Sequence, residues 1–485
     1  MIPPTLPIND DHLATLDKTI HSEEDHALAL RHAPRIRFDI QEPFYPSVVG
    51  YTVFREAGRS PSFPREIEIA PQVTTVIEYA VWWDWDIGHL YELEHIWVYL
   101  DDHENLVAGE ASWHGEHNAM SDENGQWSIE DGRLVVYSEP GKHAFAPSPQ
   151  WLLERAPRTI QGCGINAGKM GVHVTPLFKN LIADRTPPNN RLVHTYLGNN
   201  VFTPSYDFSN VFALESIPHV PWGSLFQWIP GRITWWLEQL DKHIPPSERR
   251  ALRIAHRGAS AYAQENSLSS ISKAAELGAD MVEIDVRITA DNVPVIAHDD
   301  SLKRVFGIDK TVGQLPLNAL RKATSDGHEP IMTFEEVTAV CKELQIGLYL
   351  DIKSISYEAT ESIFETLKRY SFMSATIIGS FRPDWLAEIK AHEPDATTSI
   401  LFSSTHVDPV LLAKAVNCDY VHPCWERFEE PHKYMTETWM HEVRTAGLGI
   451  VCWHEERSSE IRALQRLGVD GICSDLPELL KAHTR

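Results

Sequence analysis

The chain has 485 residues and a formal net charge of −25, and 43% of its residues are hydrophobic. A chain of this length is longer than a domain with a single hydrophobic core usually is, so we expect at least two domains. The acidic balance argues against a general nucleic-acid or membrane-surface binder, although a local metal ion or arginine can still attract an anionic substrate. No apolar run is long enough for a transmembrane helix, and the N-terminal residues lack the pattern of a secretory signal. We therefore predict a cytoplasmic protein.

The N-terminal half predicts a lead-in followed by a β-rich domain. Residues 1 to 35 are polar and predict a loosely ordered lead-in, whereas short extended runs separated by Gly, Pro, Asn and Asp fill residues 36–215. This pattern is typical of an antiparallel, sandwich-like β domain. The runs are "PREIEIAP", "TTVIEYAVWWDWD", "EHIWVYLDD", "RLVVYSE" and "RLVHTYLG". Residues 216–250 predict a short aromatic helix, "RITWWLEQL", packing one domain on the other, and then the linker "HIPPSERR".

Acidic and histidine side chains concentrate within about 60 residues of the β-rich region. They are Asp86, His89, Glu92, Glu94, His95, His114, His117 and His143. The pieces "GHLYELEHIWVYLD" and "VVYSEPGKHA" weakly resemble the metal-binding region of necrosis-inducing-like proteins and a layout found in vacuolar-sorting-associated β proteins. The resemblance implies a second cation site. Two alternatives remain open. The polar residues could be solvated strand ends, or the tryptophan faces could form a polar-headgroup or glycan-binding surface.

From residue 251 the pattern changes to strand-like runs that alternate with amphipathic helical runs. This alternation continues over roughly 230 residues, so we predict a parallel (β/α)8 barrel over residues 251–485. Nine strand-like runs fill eight positions, and we expect "VPVIAHD" to be the extra strand, paired as a hairpin with "MVEIDVRI". An open doubly wound sheet is the alternative. The six cysteines lack metal-site spacing and predict reduced core thiols.

Polar residues at the carboxyl ends of barrel strands converge on one mouth, where catalytic groups usually lie. Three carboxylates there would form an all-oxygen site for Mg²⁺ or Ca²⁺, two histidines could exchange protons, and an arginine and a lysine could bind phosphate. This chemistry fits hydrolysis of a phosphodiester. The residues are His256, Arg257, Glu283, Asp285, His298, Asp351, Lys353 and Trp453.

Five motifs in this half resemble the glycerophosphodiester phosphodiesterase family. They are "HRG" (256–258), "ENS" (265–267), "EIDVRITADNVPVIAHD" (283–299), "DIK" (351–353) and "GVDGICSD" (468–475). The resemblance implies a TIM barrel that uses one divalent cation to split glycerophosphodiesters into an alcohol and glycerol 3-phosphate. By position it implies His256 and His298 as the acid/base pair, and Arg257, Lys353 and Trp453 as contacts to the substrate. The implied metal ligands are Glu283, Asp285, Asp351 and Glu265, and Asn266 would shape the loop.

Three positions depart from the family pattern. Ser267 stands for a usual Thr, Asp351 for a usual Glu, and "WHEE" (453–456) for a segment with Thr and Asn after the tryptophan. The last change affects the contacts expected for glycerol, so cleavage of another lipid or glycolipid headgroup, in the manner of sphingomyelinase D or lysophospholipase D, remains an alternative. A non-catalytic ligand-binding protein is the other. We expect no nucleic-acid partner, and the sequence leaves the oligomeric state open.

Overall fold

The protein is described by a computed structural model, which covers residues 8–183 and 185–481. The chain divides into two compact units. One comprises the residues up to Arg185 together with Leu192–Ile244, and the other comprises Thr186–Arg191 together with the residues from Pro245 onward. No helix in the described ranges is long and apolar enough to cross a membrane. All six cysteines are buried and unbridged.

The N-terminal unit contains two main β-sheets and five helices, including α4, which both units share. The larger sheet has the order β14-β2-β5-β6-β7-β8 with β12 on β6, and the smaller has the order β11-β10-β1-β13 with β9 on β10. The strands are β1 (Arg35–Phe38), β2 (Val48–Phe54), β3 (Gly58–Arg59), β4 (Glu66–Ile67), β5 (Thr75–Trp85), β6 (His89–Leu100), β7 (Leu106–Trp113), β8 (Glu116–Ala119), β9 (Ile129–Glu130), β10 (Arg133–Ser138), β11 (Phe145–Ala146), β12 (Gly171–Val172), β13 (Asn210–Ala213) and β14 (His219–Pro221). The helices are α1 (Glu23–Arg31), α2 (Pro149–Leu153), α3 (Ala156–Cys163), α4 (Pro187–Gly198) and α5 (Trp222–His243).

Strand β5 shows why both faces of the larger sheet are buried. Ile77, Tyr79 and Trp83 point to a core shared with the smaller sheet, whereas Trp82 points to a core that includes α5. Successive side chains of a strand point to opposite faces, so this nearly continuous apolar run serves two layers. The unit is mostly β, as predicted. Its sheets are mixed rather than purely antiparallel, because β1–β10, β2–β14 and β6–β12 are parallel pairs.

Two local predictions in this half differ from the structure. "RLVHTYLG" lies in helix α4 rather than in a strand, and the aromatic helix extends over 22 residues with its apolar face in the N-terminal core. Part of the expected lead-in is also helical, because α1 begins after Ser22, whose hydroxyl accepts a hydrogen bond from Asp25 N.

The C-terminal unit is a closed barrel of eight parallel strands, as predicted. Its strands follow the chain order around the barrel, and pairing of β15 with β23 closes it. The extra strand is antiparallel to β16, with Val286 opposite Ile296, so the expected hairpin is confirmed. The strands are β15 (Leu252–His256), β16 (Met281–Ile288), β17 (Pro294–Ile296), β18 (Gly347–Ile352), β19 (Thr376–Ser380), β20 (Thr398–Phe402), β21 (Tyr420–Pro423), β22 (Gly449–Cys452) and β23 (Gly471–Ser474).

The barrel helices connect successive strands and pack against their outward side chains. Ile284 of β16 and Leu350 of β18 share one core with residues of these helices, such as Phe364 of α10. The helices are α6 (Leu268–Glu276), α7 (Lys303–Phe306), α8 (Leu317–Thr324), α9 (Phe334–Leu344), α10 (Tyr357–Arg369), α11 (Pro383–His392), α12 (Pro409–Ala415), α13 (Glu437–Thr445) and α14 (Ser458–Leu467). Right-handed strand–helix–strand connections of this kind bring the carboxyl ends of all eight strands to one mouth.

Candidate active site

Strands β16 and β18 bring three carboxylates together at the barrel mouth. Glu283, Asp285 and Asp351 are fully buried, and each offers an oxygen that lies within 4.8 Å of the others. Asp285 and Asp351 are directly paired across the two strands, which explains their close approach. In each carboxylate one buried oxygen accepts no hydrogen bond from the residues described: Glu283 Oε1, Asp285 Oδ1 and Asp351 Oδ1.

Two cations and an amide surround these carboxylates. Lys353 Nζ lies 2.5 Å from Asp351 Oδ2 and 3.3 Å from Asp285 Oδ1, and Arg257 Nε lies 3.4 Å from Asp285 Oδ2. Asn266 Nδ2 donates to Asp285 Oδ2 at 2.9 Å. Burial and the neighbouring Asp285 and Asp351 charges raise the pKa of Glu283 well above its ordinary value, and burial raises the pKa of Asp351 to about 6. Three acids against two cations therefore leave the cluster short of positive charge.

The turn after β15 holds its residues in backbone conformations that favour glycine. Arg257 and Gly258 have φ of 54° and 81°, and Asn266 has φ of 56°. A side chain at Gly258 would lie 2.7 Å from the carbonyl carbon of Ser270, so only glycine fits against the start of α6. The turn directs Arg257 N to Glu283 Oε2 at 2.9 Å. Helix α6 is capped by Ser267, whose hydroxyl accepts from Ser270 N as the usual Thr also could.

His256 is oriented by a carboxylate that sequence reasoning had not singled out. Its Nδ1 lies 2.7 Å from Asp475 Oδ1, and Ser260 Oγ donates to the same oxygen at 2.8 Å. Nδ1 therefore carries the proton, while Nε2 is buried and makes no hydrogen bond within the described chain. Burial lowers the pKa of His256 despite Asp475. Trp453 packs edge-on against His256 with ring centroids 5.0 Å apart.

His298 forms a second, more exposed histidine–carboxylate pair. Its Nδ1 lies 2.6 Å from Asp299 Oδ1, and 30% of its side chain is exposed. Asp299 also binds Arg304. Glu265 lies outside the group formed by the three carboxylates, because Arg304 Nη2 and Arg257 Nη1 lie 2.6 and 3.3 Å from its Oε1.

The "WHEE" departure from the family pattern lies beside His256. The imidazole of His454 stacks on that of His256 with centroids 4.6 Å apart, and its Nδ1 lies 3.2 Å from Glu456 Oε1. Glu456 also accepts a hydrogen bond from Asp475 N at 3.0 Å. An imidazole and the Glu456 carboxylate therefore lie beside His256, in the segment where the family pattern has Thr and Asn.

Three of the eight candidate polar residues of the N-terminal unit lie close enough to share a ligand. Asp86, His89 and Glu92 bring one ligand atom each within 4.8 Å of the others. Lys142 Nζ lies 2.8 Å from Asp86 Oδ1. The other five have separate partners: Glu94 binds Ser112, His114 binds Glu139, His143 binds Glu42, His95 stacks on Trp97, and the His117 ring lies near Phe63.

Four tryptophans of this region are buried, whereas Trp113 is partly exposed. Trp82, Trp83 and Trp97 are fully buried, and Trp85 is 5% exposed. Burial in the cores already uses the faces of these four rings. A polar-headgroup or glycan-binding surface would therefore have to use a partly exposed ring such as Trp113, and it stays a prediction.

A closed parallel barrel with buried acids and two histidine–carboxylate pairs at its mouth has the architecture of a phosphoric diester hydrolase, and comparison with known proteins agrees. Residues 256–479 match the glycerophosphoryl diester phosphodiesterase family. The C-terminal domain of the chain belongs to this family and is a phosphoric diester hydrolase rather than a non-catalytic scaffold.

Three similar proteins illustrate the match. A glycerophosphodiester phosphodiesterase of Caldanaerobacter subterraneus is 27% identical over 48% of this chain and 96% of its own length. A human lysophospholipase D is 23% identical over 47% of this chain and 84% of its own. A phosphodiesterase of Oleispira antarctica, solved with the product sn-glycerol-3-phosphate, is 25% identical with a TM-score of 0.42, covering 47% of this chain and 94% of that one.

Proposed function

We propose that the barrel hydrolyses glycerophosphodiesters to an alcohol and glycerol 3-phosphate with the help of one divalent cation. The observation that carries this proposal is the group of three buried carboxylates, each with an oxygen lacking a hydrogen bond, beside two histidine–carboxylate pairs. The names of the family and of the Caldanaerobacter relative support the substrate class.

Glu283, Asp285 and Asp351 would hold the cation. Hard oxygen ligands suit Mg²⁺ or Ca²⁺, and a dication would offset the excess of negative charge among the acids. When bound, the ion supplies Lewis-acid polarisation of a phosphoryl oxygen. Glu265 is a candidate for a further ligand if Arg304 releases it. Asp351 is one methylene shorter than the usual Glu, so we expect a different preference between the two ions.

His256 and His298 would exchange the protons. The lone pair on His256 Nε2, fixed by Asp475 at Nδ1, suits removal of a proton from the attacking hydroxyl. His298 is more exposed and bound to Asp299, so it suits return of a proton to the leaving alcohol. Arg257 would donate to phosphoryl oxygens, and Lys353 would add a positive charge. Lys353 Nζ lies 5.6 Å from the Trp453 ring centroid, which supports a contact of that ring with the substrate.

The direct test measures glycerol 3-phosphate release from glycerophosphocholine. We expect turnover with Mg²⁺ or Ca²⁺ that EDTA abolishes and added cation restores. His256→Ala and His298→Ala should each lower kcat by about 10²-fold or more, because each removes a proton transfer. His103→Ala, at an exposed histidine of the N-terminal unit, is the control. Cation-loaded protein that releases nothing from any tested phosphodiester would refute the proposal.

A specific observation keeps a lipid headgroup substrate as the second candidate. His454 and Glu456 replace the groups expected to contact glycerol, and one relative is a human lysophospholipase D. In a sphingomyelinase D-like reaction on such a substrate, a substrate hydroxyl would attack phosphorus, its proton would pass to the departing headgroup alcohol, and a cyclic phosphate would remain. Comparing choline release from lysophosphatidylcholine and from glycerophosphocholine distinguishes the two substrate classes. Phosphorus NMR of the products shows whether a cyclic diester forms.

We also propose a second cation site at Asp86, His89 and Glu92. His89 Nδ1 lies 2.8 Å from the carbonyl oxygen of Tyr91, so Nε2 carries the lone pair. His89 Nε2 lies 3.7 Å from Asp86 Oδ1 and 3.7 Å from Glu92 Oε2, so three acceptor atoms face each other. A cation held by these three atoms would take the place of Lys142 Nζ, which lies 2.8 Å from Asp86 Oδ1.

Calorimetric titration of the full chain with Ca²⁺ and Mg²⁺ tests this second site. We expect two ions per chain, and one after either Asp86→Asn or Asp351→Asn. Binding of a single ion that Asp86→Asn leaves unchanged would rule out the N-terminal site.

A further inference from the structure

One segment of the N-terminal unit has a charge opposite to that of the whole protein. Residues 155–185, which we call the basic–apolar segment, contain five Lys or Arg and one acidic residue, a net charge of +4. Since the chain totals −25, the remaining residues total −29. The five basic residues are Arg155, Arg158, Lys169, Lys179 and Arg185.

The same segment exposes large apolar side chains. Ile160 is 44% exposed, Ile165 68%, Met170 51% and Leu181 47%. Single exposed hydrophobic residues are common on soluble proteins, but four within residues 160–181, interspersed with basic residues, form a local pattern that calls for a partner.

The backbone of the segment is fixed to the larger sheet. Gly168 N donates to Ile87 O at 2.8 Å, Met170 N donates to Gly88 O at 3.0 Å, and β12 pairs with β6. Buried side chains such as Cys163 and Phe178 anchor it from below. The backbone that carries the exposed Met170 is therefore fixed to the sheet.

We propose that the basic–apolar segment binds the surface of an anionic phospholipid bilayer. Lys and Arg are attracted to anionic headgroups, and neighbouring Ile, Met and Leu side chains can enter the boundary between headgroups and acyl chains. The rest of the protein carries strong negative charge, which an anionic bilayer repels. The basic–apolar segment is therefore the favoured contact with the bilayer. Four large apolar side chains among basic ones match a surface that offers anionic headgroups directly above an apolar layer, which favours the bilayer.

Vesicle co-sedimentation of the full chain tests the proposal. We expect binding to vesicles of phosphatidylcholine with phosphatidylserine, little binding to phosphatidylcholine alone, and weaker binding as salt rises. Arg158→Gln combined with Arg185→Gln should lower vesicle affinity roughly 30-fold, at about fivefold for each charge. Ile165→Ser combined with Met170→Ser should lower it by at least tenfold, because both side chains would lose their contact with the acyl boundary.

Matched controls use exposed residues of the barrel. The Arg427 side chain is 92% exposed, and Leu411 is 69% exposed. Arg427→Gln and Leu411→Ser should therefore leave vesicle binding unchanged. Absence of binding to phosphatidylserine vesicles at low salt would overturn the proposal. Loss of binding with the arginine variants but not with Ile165→Ser and Met170→Ser would also overturn it, because binding would then be electrostatic alone and would not involve the acyl boundary. Unchanged circular dichroism and glycerol 3-phosphate release would show that the variants are folded.

Discussion

At the scale of single residues, the pairing of His256 with Asp475 determines which nitrogen of the imidazole carries the proton. We predict that Asp475→Asn lowers kcat by about 10²–10³-fold with little change in KM, because an amide N–H toward Nδ1 would favour the wrong tautomer. Steady-state kinetics measures this. Asp475→Asn should cost little more in a His256→Ala background, since both changes remove one function. Asp384→Asn, at an exposed aspartate, is the control. A fully additive double variant would contradict the positioning role of Asp475.

Another single residue, His422, should make the stability of the barrel depend on pH. It is fully buried, its Nδ1 lies 2.6 Å from the Tyr349 hydroxyl, and burial lowers its pKa to about 3. Since the unfolded chain takes up this proton near pH 6.5, the stabilisation is complete above pH 6.5 and declines as pH falls toward 3. The loss at pH 4.5 should be about 2–3 kcal/mol.

Denaturant unfolding of the wild type and of His422→Asn between pH 7 and 4.5 checks this prediction. Asn keeps a polar atom near Nδ1 but cannot take up a proton, so the variant should lose less stability on acidification than the wild type. His103→Asn, at a side chain that is 80% exposed, should leave the pH dependence unchanged. Parallel curves for the wild type and His422→Asn would show that another group is responsible.

At the scale of elements, the sequence predicted the barrel better than the N-terminal unit. Period-2 alternation and strand–helix alternation are local signals, and they identified the β16–β17 hairpin and the strand ends that carry Glu283, Asp285 and Asp351. "RLVHTYLG" was mistaken for a strand because of its β-branched and aromatic residues. Its helical signals were the proline pair that begins α4 and the buried residues at spacings of four, Leu192, Val193, Tyr196 and Leu197. The contact of His256 with Asp475 spans 219 residues, which no local pattern reveals.

The close approach of the turn after β15 to helix α6 leads to a prediction about packing. Gly258→Ala should cost about 2–4 kcal/mol, because the positive φ disfavours a side chain and the new methyl group would meet Ser270. Thermal unfolding measures the loss, and activity should fall as well, since the turn directs Arg257. Gly307→Ala is a matched control with φ of 71° and no atom within 4 Å of the new Cβ, so it should cost only the backbone part, about 1–2 kcal/mol. Equal losses in the two variants would contradict the packing argument.

At the scale of the whole molecule, the net charge of −25 opposes the approach of an anionic substrate. Arg257 and Lys353 act only at short range, and they are partly buried, so salt screens them less than it screens the surface charges. We therefore predict that kcat/KM for a net-anionic diester such as glycerophosphoglycerol rises several-fold as NaCl increases from about 10 to 100 mM, over which the Debye length falls from about 30 to 10 Å. The value for zwitterionic glycerophosphocholine should change little. Initial rates at a fixed concentration of divalent cation give kcat/KM for each diester. Loss of the cation would slow both reactions together, whereas repulsion of the substrate affects only the anionic diester. A fall in kcat/KM confined to the anionic diester would mean that the positive field at the mouth outweighs the charge of the remaining surface.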